Sequence, residues 1–367
     1  MNLRRIRGSV RDVFRTSLHP AEPEQEVTYK EETMKHLLTL LLAGTLALAG
    51  CGEGSGDSPA SGKDTAAQAS SGSVPDSGTS VPAVEEQVIR IAYLPITHSL
   101  AGLEAARAAG ENRDGIRIEM IRFGSWTELI DALNTGRVDA AFALVELVMK
   151  AREQGMDVYL SSLAHRDGNV IVVADGIRTA ADLRGKTFAI PHRQSSHYIL
   201  LNEALARENV DISEVKIVEL PPPEMPSALA SGQIAGYCVA EPFGAKAVSM
   251  KLGHVLYNSA DLWPDSICCG FALSGRFLKE HPDLAALVTA RIRAAGVRLE
   301  GDHQHEADLA AANFKVTRDA LDLSLKWISF DSLEIRREHY EALREKVVRY
   351  GLSEAPVAFE DIVRDVR

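Results

Sequence analysis

From residue 88 onward the apolar positions switch between two spacings. Residues 88–94 are a short apolar run stopped by Pro95, and 116–123 alternate apolar with polar; both are strand patterns. Apolar residues recur at helical spacing over 104–109, and again from Ser125, a good N-cap residue, to a glycine stop at Gly136. Residues 139–143 then read as a strand, 146–154 as a helix, and 158–164 and 169–174 as strands. A second series starts near Thr179, with a turn feeding a strand over 181–191, a helix at 198–207, a strand at 215–220 and a last strand at 254–257. A strand at 267–273 follows, then helices at 284–299, 305–312, 317–323, 332–350 and 359–366. This order predicts an α/β fold of two lobes, each a mostly parallel sheet flanked by helices, with a helical C-terminal tail. Lobe 1 takes 87–175, lobe 2 takes 176–262, and 263–367 returns to lobe 1. The chain would cross between them at 174–178 and 259–266, and the two crossings would form a hinge.

One unit occurs twice. Ala132-Leu133-Asn134-Thr135-Gly136-Arg137-Val138-Asp139-Ala140 matches Ala228-Leu229-Ala230-Ser231-Gly232-Gln233-Ile234-Ala235-Gly236. Each reads as the end of a helix, a left-handed glycine and the start of a buried strand. The second copy runs on to Glu241-Pro242, where proline stops the strand.

Residues ahead of these lobes carry a different message. Met34-Lys35-His36 precedes an apolar run over 37–48 and then Ala49-Gly50-Cys51, the layout of a secretory signal over 34–50. The run is too short to span a bilayer. Leu48-Ala49-Gly50-Cys51 resembles the bacterial lipobox, which implies cleavage before Cys51 and a lipid anchor on its thiol. Residues 51–86, rich in Gly, Ser, Ala, Pro and Asp, read as a flexible tether. Residues 1–33 have no apolar core and are expected to be disordered or a mis-called extension.

Composition narrows the class. The chain has 367 residues, 46% hydrophobic and 25% charged, with a net charge of −11. That is a globular balance, and it excludes nonspecific binding to nucleic acid. Cys238, Cys268 and Cys269 have no CxxC spacing and no histidine at finger distance, so they read as small buried side chains. A bridge from Cys238 to one of the pair stays open in an oxidising compartment. His303-Gln304-His305 reads as a solvated helix start, and no metal or cofactor is expected. No P-loop is present.

The element order resembles type II periplasmic binding proteins. Tyr93-Leu94-Pro95-Ile96-Thr97, Ser125-Trp126, Leu183-Arg184-Gly185-Lys186, Pro221-Pro222-Pro223-Glu224-Met225 and Tyr237-Cys238-Val239-Ala240-Glu241-Pro242-Phe243 are similar to segments of the nitrate/sulfonate/taurine branch of ABC-transporter solute-binding proteins. The resemblance implies a monomeric receptor outside the cytoplasm, anchored to the bacterial membrane. It would catch a sulfonate, a nitrate-like anion or a small organic or heterocyclic solute for an ABC permease and its ATPase. Nitrate-type receptors resemble each other in a lysine-bearing segment after the second crossing, but residues 261–270 here hold no lysine. An inorganic anion would lose its charge partner, so a zwitterionic or heterocyclic solute fits at least as well.

Ligands of open α/β sheets bind beyond the carboxyl ends of strands. That rule selects Thr97, His98, Ser125, Trp126, Leu144, Val145, Gln194, Ser195, Ser196, His197 and Glu241. Ser195 and Ser196 would stand at a helix N-terminus that favours anions, and Trp126 would supply an apolar wall. Two alternatives share the fold. An enzyme of the pyrimidine-precursor or menaquinone-pathway type would rely on Cys268, Cys269 and His197; a ligand-sensing subunit of a membrane receptor would use the same cleft. The lipobox favours a receptor over a biosynthetic enzyme.

Overall fold

Two five-stranded sheets carry the fold, in a computed structural model that describes residues 86–366 apart from 113 and 114. The N-terminal extension, the signal run, Cys51 and the tether up to residue 85 lie outside the described residues. In chain order the strands are β1 (Gln87–Tyr93), β2 (Ile116–Arg122), β3 (Ala140–Leu144), β4 (Val158–Leu163), β5 (Arg166–Asp167), β6 (Asn169–Val173), β7 (Thr187–Ile190), β8 (Lys216–Glu219), β9 (Gly236–Ala240), β10 (His254–Asn258), β11 (Cys269–Ser274) and β12 (Ile328–Ser329). The first sheet runs β2-β1-β3-β11-β4 and the second β8-β7-β9-β6-β10; β5 pairs with β12.

The two sheets share one plan. Each has three parallel strands, then one strand antiparallel to both its neighbours. That antiparallel strand is the one arriving from the other sheet. β6 follows β4 across, and β11 follows β10 back. The central strands β3, β6, β9 and β11 are buried along their whole length, which explains their unbroken apolar runs.

Helices cover the sheets: α1 (Leu100–Asn112), α2 (Trp126–Asn134), α3 (Val145–Glu153), α4 (Ser196–Arg207), α5 (Met225–Ala230), α6 (Phe243–Ser249), α7 (Ser259–Leu262), α8 (Gly275–Glu280), α9 (Pro282–Gly301), α10 (His303–Asn313), α11 (Arg318–Ser324), α12 (Arg337–Arg349) and α13 (Phe359–Ile362). Among the described residues no helix is long and apolar enough to cross a membrane. The duplicated unit has one backbone in both copies. Gly136 and Gly232 each take φ 71°. Their N–H groups donate to Leu133 and Leu229 at 3.2 and 3.0 Å, and the next residues donate to Ala132 and Ala228, both at 3.0 Å.

Three sequence expectations shift. Residues 169–173 pair with β9 and β10, so they belong to the second sheet and the first crossing falls at 164–168. An apolar strand looks the same in either sheet; only its partners decide. The helix expected at 332–350 begins at Arg337, because Leu333 is held extended as acceptor for the Leu163 N–H at 2.7 Å and the Ser162 hydroxyl at 2.8 Å. The last helix stops at Ile362, and Val363 bridges to Leu160 of β4.

The C-terminal helices reach both sheets. Glu104 of α1, with a fully buried carboxylate, accepts from Arg107 at 2.8 Å, and from His305 of α10 at 2.8 Å; Arg298 of α9 lies 3.3 Å away. Glu203 of α4 binds the Lys346 ammonium of α12 and accepts from the Tyr350 hydroxyl at 2.9 Å.

Candidate functional site

Both crossings and the turn after β1 bring polar side chains into one enclosed place. His98 lies in a single helical turn after β1, His165 in the first crossing, and Cys268 and Cys269 at the end of the second. All four are buried. The His98 and His165 rings stack with centroids 3.5 Å apart. Cys268 Sγ lies 3.7 Å from Cys269 Sγ, and the two sulfurs lie 4.0 and 3.6 Å from His98 Nδ1.

Backbone geometry fixes His98. Its Nε2–H donates to the Gly168 carbonyl at 2.9 Å, which leaves Nδ1 unprotonated and facing the thiols. Gly168 has φ 78°, and a Cβ there would stand 3.1 Å from His98 Nε2 and 3.0 Å from Ile328 Cγ1. Only glycine suits that position. The same carbonyl accepts from the Glu241 N–H at 3.1 Å.

The electrostatics are uneven. Burial alone would push Cys268 up, but Cys269 and the imidazoles of His165, His98 and His197 outweigh it and hold this thiol well below the usual range. Burial and the charge on Cys268 hold Cys269 well above it. His165 and His197 are lowered to about 4, chiefly by burial, so both are neutral at pH 7. Glu146, in the first turn of α3, is raised well above the carboxylate range by burial and by Cys268.

Several of these groups lack partners. Both ring nitrogens of His165 and His197, both carboxyl oxygens of Glu146, the Ser196 hydroxyl and Asn169 Nδ2 are buried without a hydrogen-bond partner. Burying even one such group costs about 1–3 kcal/mol. The unpaired groups of His165, His197, Glu146 and Asn169 gather around Cys268 and point to a ligand that pairs them.

The sequence-selected residues divide into those facing this place and those busy elsewhere. His98 is in the cluster, and His197 is electrostatically coupled to it. Ser196 opens α4 beside His197, its hydroxyl unpartnered. Leu144 pairs with Cys269 across the first sheet, and the Val145 N–H donates to the Cys268 carbonyl at 2.8 Å. The Thr97 hydroxyl and N–H both donate to the Glu241 carbonyl, at 3.0 and 2.8 Å, and so tie the first sheet to the end of β9. The Glu241 carboxylate itself turns onto the α6 N-terminus and accepts from the Ala245 N–H at 3.0 Å. Ser125 and Ser195 cap α2 and α4, and the Gln194 amide donates to the Leu352 carbonyl at 3.0 Å. Trp126 is buried with its indole N–H unpartnered.

Sequence reasoning missed His165, Asn169 and Glu146, and treated the thiol pair as packing. Placing the first crossing at 174–178 kept His165 away from the hinge. No disulfide links Cys238 to the pair; all three thiols are free and buried. His303 and His305 serve as ion-pair partners of Glu306 and Glu104.

Residues 82–313 match the NMT1-like family. The chain belongs to that family. Within reach of it among solved structures is the ligand-binding component of an ABC-type import system from Staphylococcus aureus, with zinc bound. It is 35% identical, covers 76% of this chain and 97% of its own, and superposes with a TM-score of 0.72. The periplasmic nitrate-binding protein NrtA from Synechocystis, 15% identical over 77% of this chain and 87% of its own with a TM-score of 0.68, shares the fold. This NMT1-like chain therefore has the periplasmic binding protein fold, a mixed α/β architecture with helix-flanked sheets. The nitrate import ATP-binding protein NrtC of Synechocystis is 26% identical over 61% of this chain and 37% of its own length. The chain thus spans well under two thirds of the curated relatives that it matches first.

Proposed function

We propose that this chain is the solute-binding lipoprotein of an ABC importer, held outside the cytoplasm by lipid on Cys51 and delivering its solute to a permease. One observation carries the reading: the unpartnered side chains of His165, His197, Glu146 and Ser196 are buried around the point where the chain crosses twice between sheets. A solute there would contact both lobes and favour their closed arrangement by hinge motion. Family membership and the binding-component relatives support it. Binding is favoured over catalysis because the 35% identical relative is the ligand-binding component of an import system.

The lining favours other solutes over a small inorganic anion. Among the described residues no lysine or arginine is buried, and the histidines lowered to about 4 carry no charge at pH 7. Organic solutes and, given the Staphylococcus aureus relative, metal ions remain as classes. A thermal-shift screen of the full chain tests this. Sulfonates, nitrate, bicarbonate, pyrimidines, amino-acid-like solutes and divalent metals form the panel. The matching class raises the melting temperature by mass action, and replacing His98 with Ala removes the rise. Turnover of a substrate with no shift from any solute would sink the receptor reading.

A further inference from the structure

We infer that the solute is a divalent transition metal ion that prefers sulfur and nitrogen ligands, bound by His98, His165, Cys268 and Cys269. The inference rests on the receptor reading above and names its solute class. One ligand atom from each of the four side chains lies within 4.8 Å of the others, and all four residues are buried. A tetrahedral ion with sulfur at about 2.3 Å and nitrogen at about 2.0 Å holds two sulfurs about 3.8 Å apart and sulfur about 3.5 Å from nitrogen. The sulfurs here are 3.7 Å apart, and His98 Nδ1 is 3.6 and 4.0 Å from them. Three of the four ligands already stand at close to coordination spacing, and the fourth, His165, lies within 4.8 Å of them.

Three further features agree. The His98 Nε2–H is spent on the Gly168 carbonyl, the outer hydrogen bond that metal-bound histidines use to aim the other nitrogen. His165 has two buried ring nitrogens without partners, so one is free for an ion. Charge also balances. Two thiolates and two neutral imidazoles cancel a dication, so the complex is neutral where a net charge would be costly. A hard ion such as calcium or magnesium needs six or more oxygens, and this ligand set offers none.

Cobalt(II) is the probe, titrated into the full chain after reduction and chelator treatment. The expected result is one ion per chain, with intense visible bands of tetrahedral cobalt and near-ultraviolet thiolate-to-metal absorption, both abolished by added zinc. A C268S, C269S double variant loses the thiolate absorption; circular dichroism melts establish that it is folded. The wild-type spectrum decides the matter without variants. No cobalt uptake, or only the weak bands of an octahedral site without thiolate absorption, overturns the assignment. If an organic solute raises the melting temperature while cobalt and zinc do not bind, the metal assignment fails and the receptor reading stands. If neither class binds, both fail.

Discussion

Glu241 shows how a residue selected by position takes its role from its neighbours. It ends β9 in the second copy of the duplicated unit, where strand ends line a cleft, and its backbone does join the two sheets through Thr97. Its carboxylate, however, caps α6 in a fully buried place, and burial raises its pKa to about 8. The folded value lies above the ordinary one of 4.5, so the stabilisation is complete below that value and is lost as pH rises toward 8. The loss is on the order of 4 kcal/mol. Glu241→Gln should therefore flatten the fall in melting temperature between pH 5 and pH 8; parallel curves for variant and wild type would contradict this assignment. His98 and His197 could be picked from sequence because each follows a strand or opens a helix. His165 and Glu146 could not, since the importance of each comes from meeting Cys268, more than a hundred residues further along the chain.

Among the elements, the helix–glycine–strand unit was the most legible, because a left-handed glycine after a helix is a local requirement that leaves a local mark. The crossings were the least legible. β6 has the composition of any central strand, and its hydrogen bonds to β9 and β10 come from segments more than sixty residues on. The repeat also permits a controlled comparison. Gly136 and Gly232 share φ 71°, so alanine strains each backbone by about 1 kcal/mol. An added Cβ meets nothing within 4 Å at Gly232, but lies 3.1 Å from the Arg276 guanidinium at Gly136. Denaturant unfolding should show Gly136→Ala to be the more damaging of the two. Equal losses would mean that Arg276 moves aside without cost.

At the scale of the molecule, the C-terminal helices do more than trail behind the sheets. Through Glu104 and Glu203 they are fastened to α1 beside the first sheet and α4 beside the second. Glu104 holds partners on three helices. Burial would raise its pKa, yet hydrogen bonds from Arg107 and His305 hold it below the usual range. Its contribution is thus present above the ordinary glutamate pKa and is lost as pH falls through the folded value, the opposite sense to Glu241. Glu104→Gln should cost about 1–3 kcal/mol near neutral pH and reduce the acid sensitivity of the melt; an unchanged acid limb would show that other carboxylates govern it. Sequence pattern located these helices but not their ion pairs, because a charged residue on a helix face looks the same whether it meets water or a partner.

We propose that the solute sits where the chain crosses between its sheets. Isothermal titration of the full chain with the solute that raises its melting temperature tests this most directly, wild type against a His98→Gln, Cys269→Ser double variant shown to be folded. The account predicts one site per chain in the wild type and none in the variant. Equal stoichiometry and affinity in both would place the solute elsewhere and contradict it.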